Sequence, residues 1–217
     1  MLVGADEAGK GPALGPMVAG AVRADPADLP AGLDDSKKLS PERREELAAE
    51  LRNHPEISVA VAIVPPERID DPETDMNSLG VAAQAEAVGT VAGSGDELFA
   101  DAADTDADRF GRRLRDAIRD DEGPALHVTA EHGADESYPV VSAASIVAKV
   151  ERDRLLAEID AAHDRPVGSG YPSDSTTKAF LEAYVAENES LPACARSSWA
   201  TCEDVLAAAE QSGLDEF

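Results

Sequence analysis

Residues 2–22 read LVGADEAGKGPALGPMVAGAV, and the fold turns on what happens at Asp6 and Glu7. A short apolar run leads into two adjacent carboxylates. Gly or Pro then recurs every few residues, and a second apolar run follows. Neighbouring side chains on a strand point to opposite faces of a sheet. Two consecutive acids therefore reach one site only if the regular strand ends between them; otherwise one of them is idle.

The rest of the chain bounds what those acids can mean. Its 217 residues are 43% hydrophobic, enough to bury a core in a single domain. Asp and Glu number 44 against 19 Lys and Arg, a formal net charge of -25. The excess is spread through segments such as DPADLPAGLDD, DDPETD and RDDEGP, which read as solvated loops and helix faces. So large a charge repels itself in dilute buffer, and at about 1 M salt, where the Debye length is about 3 Å, it becomes tolerable. Lysine is confined to Lys10, Lys37, Lys38, Lys149 and Lys178. This acidic, lysine-poor, alanine-rich composition resembles that of proteins from salt-in halophiles. The charge thus describes the solvent rather than a partner, and any phosphate contact falls to the few cations.

No basic region followed by an apolar segment marks a targeting signal, and no apolar run approaches a membrane span. Cys194 and Cys202 lack zinc-ligand companions and read as free thiols. The expectation is a cytoplasmic monomer with no membrane association.

Periodicity alternates along the chain. LVGAD, MVAGAVRA, ISVAVAIVP, ELFAD and ALHVTAEH read as strands, the first three with the near-continuous apolar character of strands buried on both faces. Ser40 as N-cap with Pro41 behind it starts a helix through SPERREELAAELRNH. Further helices are expected over NSLGVAAQAEAVGTVA, PVVSAASIVAKVERDRLLAEIDAAH, TKAFLEAYVAEN and EDVLAAAEQSG. DTDADRF looks like a calcium loop, but Arg109 and Arg115 stand where Gly and Glu are required, so it reads as a helix start. The order predicts an α/β sheet with helices on both faces, the last two helices forming a cap or clamp beside it.

Acids then gather at strand ends. Asp6 and Glu7 end the first strand, Asp101 the fourth, and Asp135 lies just beyond the fifth. Functional crevices of open α/β sheets lie at the carboxyl ends of strands. Four converging carboxylates repel unless a multivalent cation sits among them, and oxygen ligands without His or Cys favour Mg²⁺ or Mn²⁺ over zinc. Two such ions about 3.5–4 Å apart hydrolyse phosphodiesters. By spacing alone the chain is a candidate nuclease.

DEAGKGPALGP, DDSKKLS, LFADA, ADESYPVVSAASIVAKVERDR, GSGYPSD and RSSWAT, in that order from residue 3 to about 201, resemble ribonuclease HII, the type 2 ribonuclease H family, in its archaeal form. The resemblance implies a ribonuclease H-like fold: a five-stranded mixed sheet flanked by helices in one catalytic domain over residues 1–217, with residues from about 172 forming a C-terminal helical clamp. It implies hydrolysis of the RNA strand of RNA/DNA hybrids and incision at ribonucleotides embedded in duplex DNA. Two Mg²⁺ or Mn²⁺ ions serve the reaction, which leaves 3'-hydroxyl and 5'-phosphate ends. Asp6, Glu7, Asp101 and Asp135 become the catalytic, metal-binding carboxylates. The opening question then has an expected answer: Asp6 is the last regular strand residue, and Glu7 reaches back from an irregular segment.

The same resemblance makes Gly9, Lys10 and Gly11 a phosphate-approaching segment, with Lys10 replacing the family's commoner Arg. Lysine there also resembles ribonuclease HIII, whose additional N-terminal domain is not expected here. Ser36 and Lys37 are implied phosphate contacts, and Tyr171 the tyrosine that stacks beneath the sugar at an RNA-to-DNA junction. Lys149 and Arg152 are further cations that could face nucleic acid. Trp199 reads as a packing residue. A sliding clamp is a possible partner through EQSGLDEF. The alternatives are a non-catalytic hybrid-binding protein on the same fold, against which the four acids count, and an acidic metal buffer, which leaves the Gly, Lys and Tyr motifs unexplained.

Overall fold

The computed structural model describes residues 1–33 and 39–214, the side chains of residues 212–214 excepted. The backbone divides into two units. The first comprises Met1–Ala8, Val18–Ile63 and Asp75–Arg152; the second comprises Gly9–Met17, Val64–Thr74 and Asp153–Phe217. Among the described residues no helix is long and apolar enough to cross a membrane.

The first unit is built on five strands, β1 (Leu2–Ala8), β2 (Met17–Ala24), β3 (Ser58–Val64), β4 (Glu97–Asp101) and β5 (His127–Glu131), in the order β3-β2-β1-β4-β5. β1 runs antiparallel to β2 and parallel to β4, and β5 runs parallel to β4, so the sheet is mixed. β4 falls on ELFAD as its sequence suggested. β3 does not have the two buried faces expected of it: it stands at the sheet edge and much of it is partly exposed, Ile63 by 42%. A continuous apolar run therefore did not distinguish an edge strand from a central one.

Helices of the first unit cover both faces: α1 (Pro41–Asn53), α3 (Met76–Val91), α4 (Ala107–Asp120), α5 (Ala134–Ser137) and the first half of α6 (Pro139–Ala161), while α2 (Pro66–Ile69), α7 (Ser175–Asn188) and α8 (Ala200–Leu214) belong to the second unit. Ser40 caps α1 by accepting from the Arg43 amide, with Pro41 at the first helical position. Asp106 caps α4 in the same way, so DTDADRF is a helix start. α1 and the first half of α6 share one apolar cluster in which Leu47 and Leu51 join Val22, Val140, Val141 and Val147. α6 sits directly on the sheet: a Cβ at Gly4 would meet the Val140 carbonyl oxygen at 2.1 Å, and one at Gly20 the Ala144 oxygen at 2.5 Å. α3 packs on β1 and α4, and α4 on β5.

The second unit has its own core. Ala13, Leu14, Val167, Phe180, Leu181, Ala195 and Cys202 are buried together, with Leu156, Ile159, Tyr184 and Trp199 against them. Both cysteines are free. Burial foremost pushes the Cys194 and Cys202 thiols up to about 11, so both stay protonated at neutral pH.

Candidate active site

β1 does not end at Asp6. Its antiparallel register with β2 continues through Asp6↔Gly20, Glu7↔Ala19 and Ala8↔Val18, so Glu7 is a regular strand residue and the expected break is absent. What ends is the pairing on the other edge, where β1 and β4 part after Ala5↔Ala100. Alternation therefore holds, and the two acids straddle a strand edge from opposite faces. Asp6 turns toward α6, where the buried Ser145 hydroxyl stands near it without completing a hydrogen bond among the described residues, and its Oδ1 accepts from the Glu7 amide at 2.7 Å. Glu7 turns toward α3, where its Oε2 accepts from Gln84 Nε2 at 2.6 Å.

Asp101 closes β4 beside them. Its Oδ1 accepts from the amides of Gly133 at 2.7 Å and Ala134 at 3.2 Å. Gly133 has a φ of 68°, a left-handed conformation that glycine adopts without strain. The chain thereby turns out of β5 into α5, which carries Asp135, 5% exposed. One carboxylate thus ties the end of β4 to the turn bearing the fourth acid.

Asp6 feels the charges of both Glu7 and Asp101. Asp6, 5% exposed, is held well above the ordinary carboxylate range by its burial, then by the negative charges of Glu7 and Asp101. The groups pulling it back are neutral: the Ser145 hydroxyl and the Glu7 amide. Among the described residues no three acid, His or Cys side chains form a ready-made metal cage. The fit to a divalent ion lies in the donor chemistry, all-oxygen and anionic, with a buried member whose main electrostatic neighbours among the described residues are negative.

The second unit organises a different set of sequence candidates. Gly9 takes a φ of 83°, open to glycine at little cost, and the segment it begins is held by its backbone. Arg196, fully buried, donates to the carbonyls of Gly9 at 2.6 Å, Lys10 at 3.0 Å and Gly15 at 2.9 Å. Its guanidinium also lies 5.1 Å from the Trp199 ring, whose Nε1 donates to the Gly11 carbonyl at 3.3 Å. Trp199 is a packing residue, as expected, but one that braces this loop. Asp70 accepts from the amides and hydroxyls of both Ser197 and Ser198 and so steadies the residues after Arg196.

Tyr171 joins the same loop. A Cβ at Gly11 would lie 3.6 Å from its Cε1, and the residue is 42% exposed, unusual for an aromatic among the described residues. Its turn is fixed by Asp174, which accepts from the amide and hydroxyl of Ser169 and from the Thr176 amide. Those bonds hold the Asp174 carboxyl down to about 2. Ser36 and Lys37 lie outside the described residues. Arg152 is 9% exposed, which takes it off a nucleic-acid-facing surface.

Sequence reasoning missed Gln84 and Arg196 as shapers of these two places. Gln84 had a signal, as the amide set in the Ala- and Val-rich middle of a helix; Arg196 was noticed only as part of RSSWAT.

A mixed five-stranded sheet covered by helices, with buried acids where its central strands part, defines an enzyme of the ribonuclease H class. The family model for Ribonuclease HII matches residues 3–202. Over 217 residues the chain is 58% identical to Ribonuclease HII of Haloarcula marismortui, covering 100% of both. The crystal structure of ribonuclease H2 from Pyrococcus horikoshii OT3 matches with a TM-score of 0.87 and 33% identity, over 97% of this chain and 99% of that one. The RNase HII solved in complex with PCNA from Archaeoglobus fulgidus matches at 0.81 and 37%, over 92% and 95%. The chain belongs to the ribonuclease HII family and is a ribonuclease H, acting on RNA/DNA hybrids.

Proposed function

We propose that this enzyme cleaves the RNA strand endonucleolytically, incises beside single ribonucleotides embedded in duplex DNA, and leaves 3'-hydroxyl and 5'-phosphate ends. Asp6, Glu7, Asp101 and Asp135 hold two Mg²⁺ or Mn²⁺ ions. The observation that carries this reading is Asp6, a carboxyl raised first by its burial and then by the charges of Glu7 and Asp101, whose own carboxylates are each held by hydrogen bonds. A pure binding module has no use for such an arrangement, since mutual repulsion costs stability and contacts no duplex.

The chain's own residues then divide the work. Gln84 holds Glu7, the Gly133 and Ala134 amides hold Asp101, and the Glu7 amide holds Asp6, so these three carboxylates are oriented before substrate arrives. Bound divalent ions supply Lewis acidity, lowering the pKa of the attacking water and stabilising the leaving oxygen. Water is the nucleophile, so no covalent enzyme intermediate forms. The Gly9–Lys10–Gly11 backbone, fixed by Arg196, contacts phosphate with the Lys10 charge beside it. The exposed Tyr171 ring offers a face to the sugar at the RNA-to-DNA junction. Ser36 and Lys37 add phosphate contacts, and α7 and α8 serve as the clamp.

The Archaeoglobus relative, solved with PCNA, supports a sliding clamp as protein partner. The candidate segment is EQSGLDEF at residues 210–217, of which 215–217 lie outside the described residues.

Cleavage of three labelled duplexes, all-DNA, long hybrid and one with a single ribonucleotide, tests the reading with and without Mn²⁺ or Mg²⁺. Cuts in the second and third, dependent on metal and ending in 3'-hydroxyls, are expected. Binding without cleavage under every metal condition would leave the hybrid-binding alternative.

A further inference from the structure

α3 buries an apolar face made of Leu79, Val81, Ala83, Ala85, Ala87 and Val88, and in the middle of it stands one fully buried amide, Gln84. Burying an amide costs free energy unless its hydrogen bonds are replaced. The Nε2 group is satisfied twice, donating to Glu7 Oε2 at 2.6 Å and to the Asp101 carbonyl at 3.1 Å. Those acceptors also fix the amide's orientation, because a flipped side chain would set oxygen against two oxygens. Oε1 is consequently buried with no hydrogen-bond partner among the described residues. An apolar residue would avoid that cost, so packing alone does not account for Gln84.

We propose that Gln84 is a positioning residue that fixes the Glu7 carboxylate for divalent-cation binding, an inference resting on the metal-dependent nuclease reading above. Its single side chain reaches the end of β1 through Glu7 and the end of β4 through the Asp101 backbone, so it sets the two strand ends relative to each other. Its neutrality matters equally. Lys or Arg would orient Glu7 but would also neutralise the charge that the cation must find. An amide orients the carboxylate and leaves its charge intact.

The test compares wild type with Gln84→Met, which keeps the length and removes the donor, and Gln84→Leu as a second packing solution. Mn²⁺ is titrated into nucleic-acid-free protein by calorimetry, and cleavage of a long RNA/DNA hybrid is measured across Mn²⁺ concentrations. Partners that orient ligating groups are worth about 10- to 100-fold in metal affinity, and a loss of that size is expected. It should come with a lower kcat that added Mn²⁺ recovers and an unchanged KM for the hybrid. The metal-free melting temperature should change little, because the unsatisfied buried amide oxygen leaves together with the bonds given to Glu7 and the Asp101 carbonyl. Mn²⁺ affinity within twofold of wild type in a folded variant overturns the proposal, as does unfolding of both variants, which would make Gln84 a structural residue. Wild type that neither binds Mn²⁺ nor cleaves the hybrid refutes the nuclease reading itself.

Discussion

Each unit of the molecule buries a charge, and the two are treated in opposite ways. Asp6 lies in the sheet with two other acids as neighbours and neutral donors as its relief. Arg196 lies in the second unit with three backbone carbonyls turned onto it. The first arrangement is electrostatically incomplete and gains from a cation. The second is complete within the protein and gains nothing further by binding. On the proposed roles, a site that captures ions carries its instability in advance, whereas a loop that presents a fixed shape to phosphate is settled beforehand. The difference separates chemistry from recognition, and mutation can test it at each end.

The largest effect is expected at Asp101. Asp101→Asn keeps an oxygen that can accept from the Gly133 and Ala134 amides, so the α5 turn should persist while a charge of the proposed metal site is lost. Several kcal/mol of transition-state stabilisation then disappear, about 100-fold or more in kcat/KM on a long hybrid. Near-normal cleavage by the folded variant would remove Asp101 from the site.

Arg196→Met should be costly in a different currency, stability. It leaves the buried carbonyls of Gly9, Lys10 and Gly15 without their donor, and each unsatisfied buried group costs about 1–3 kcal/mol. Urea unfolding should show a loss of about 3 kcal/mol or more. A loss below about 1 kcal/mol would mean that the loop is held by its backbone bonds and that the contrast with Asp6 is weaker than it looks.

Tyr171→Ala should act on recognition alone. Stacking on an aromatic is worth about 1–3 kcal/mol, which translates to about 5- to 150-fold in kcat/KM on the single-ribonucleotide duplex. Long hybrids offer many registers and should lose less. Equal losses on both substrates, with folding intact, would make Tyr171 a general positioning residue instead of a junction sensor.

The smallest expected effect is the stability gain from Asp6→Asn. The native pKa of Asp6 lies above its ordinary value of 3.8, so the native state holds this proton more tightly than the unfolded chain does. The resulting stabilisation is fully present below about pH 3.9 and is lost as pH rises through the native value. Metal-free Asp6→Asn should therefore gain on wild type as pH rises toward neutrality, by about 1.4 kcal/mol for each pKa unit removed. Urea midpoints that differ equally at pH 4 and pH 8 would show that Asp6 carries no such strain.

What was legible in the sequence was what local chemistry writes down. Ser40 and Pro41 announced α1, ELFAD delimited β4, and Asp106 started α4, because caps and apolar runs are made by neighbours in the chain. The acids could be found as strand-end residues. The continuation of β1 to Ala8 could not be, because it is decided by pairing with Ala19 and Val18 after the Gly/Pro turn. Nor was the edge position of β3, which depends on strand order. Gln84 and Arg196 were hidden for the same reason. Their partners lie 77 and 181–187 residues away, and no local period signals such a bond.

The glycines under α6 have a practical consequence for anyone who would retune this enzyme. With a Cβ at Gly4 or Gly20 landing 2.1 or 2.5 Å from helix backbone, α6 and the sheet are assembled like machined parts with no shim between them. The height at which Ser145 rides above Asp6 is therefore a fixed dimension of the scaffold, and side-chain size has no purchase on it. Adjustment has room only on the opposite face, where α3 meets Glu7 through a side chain that can be lengthened, shortened or exchanged.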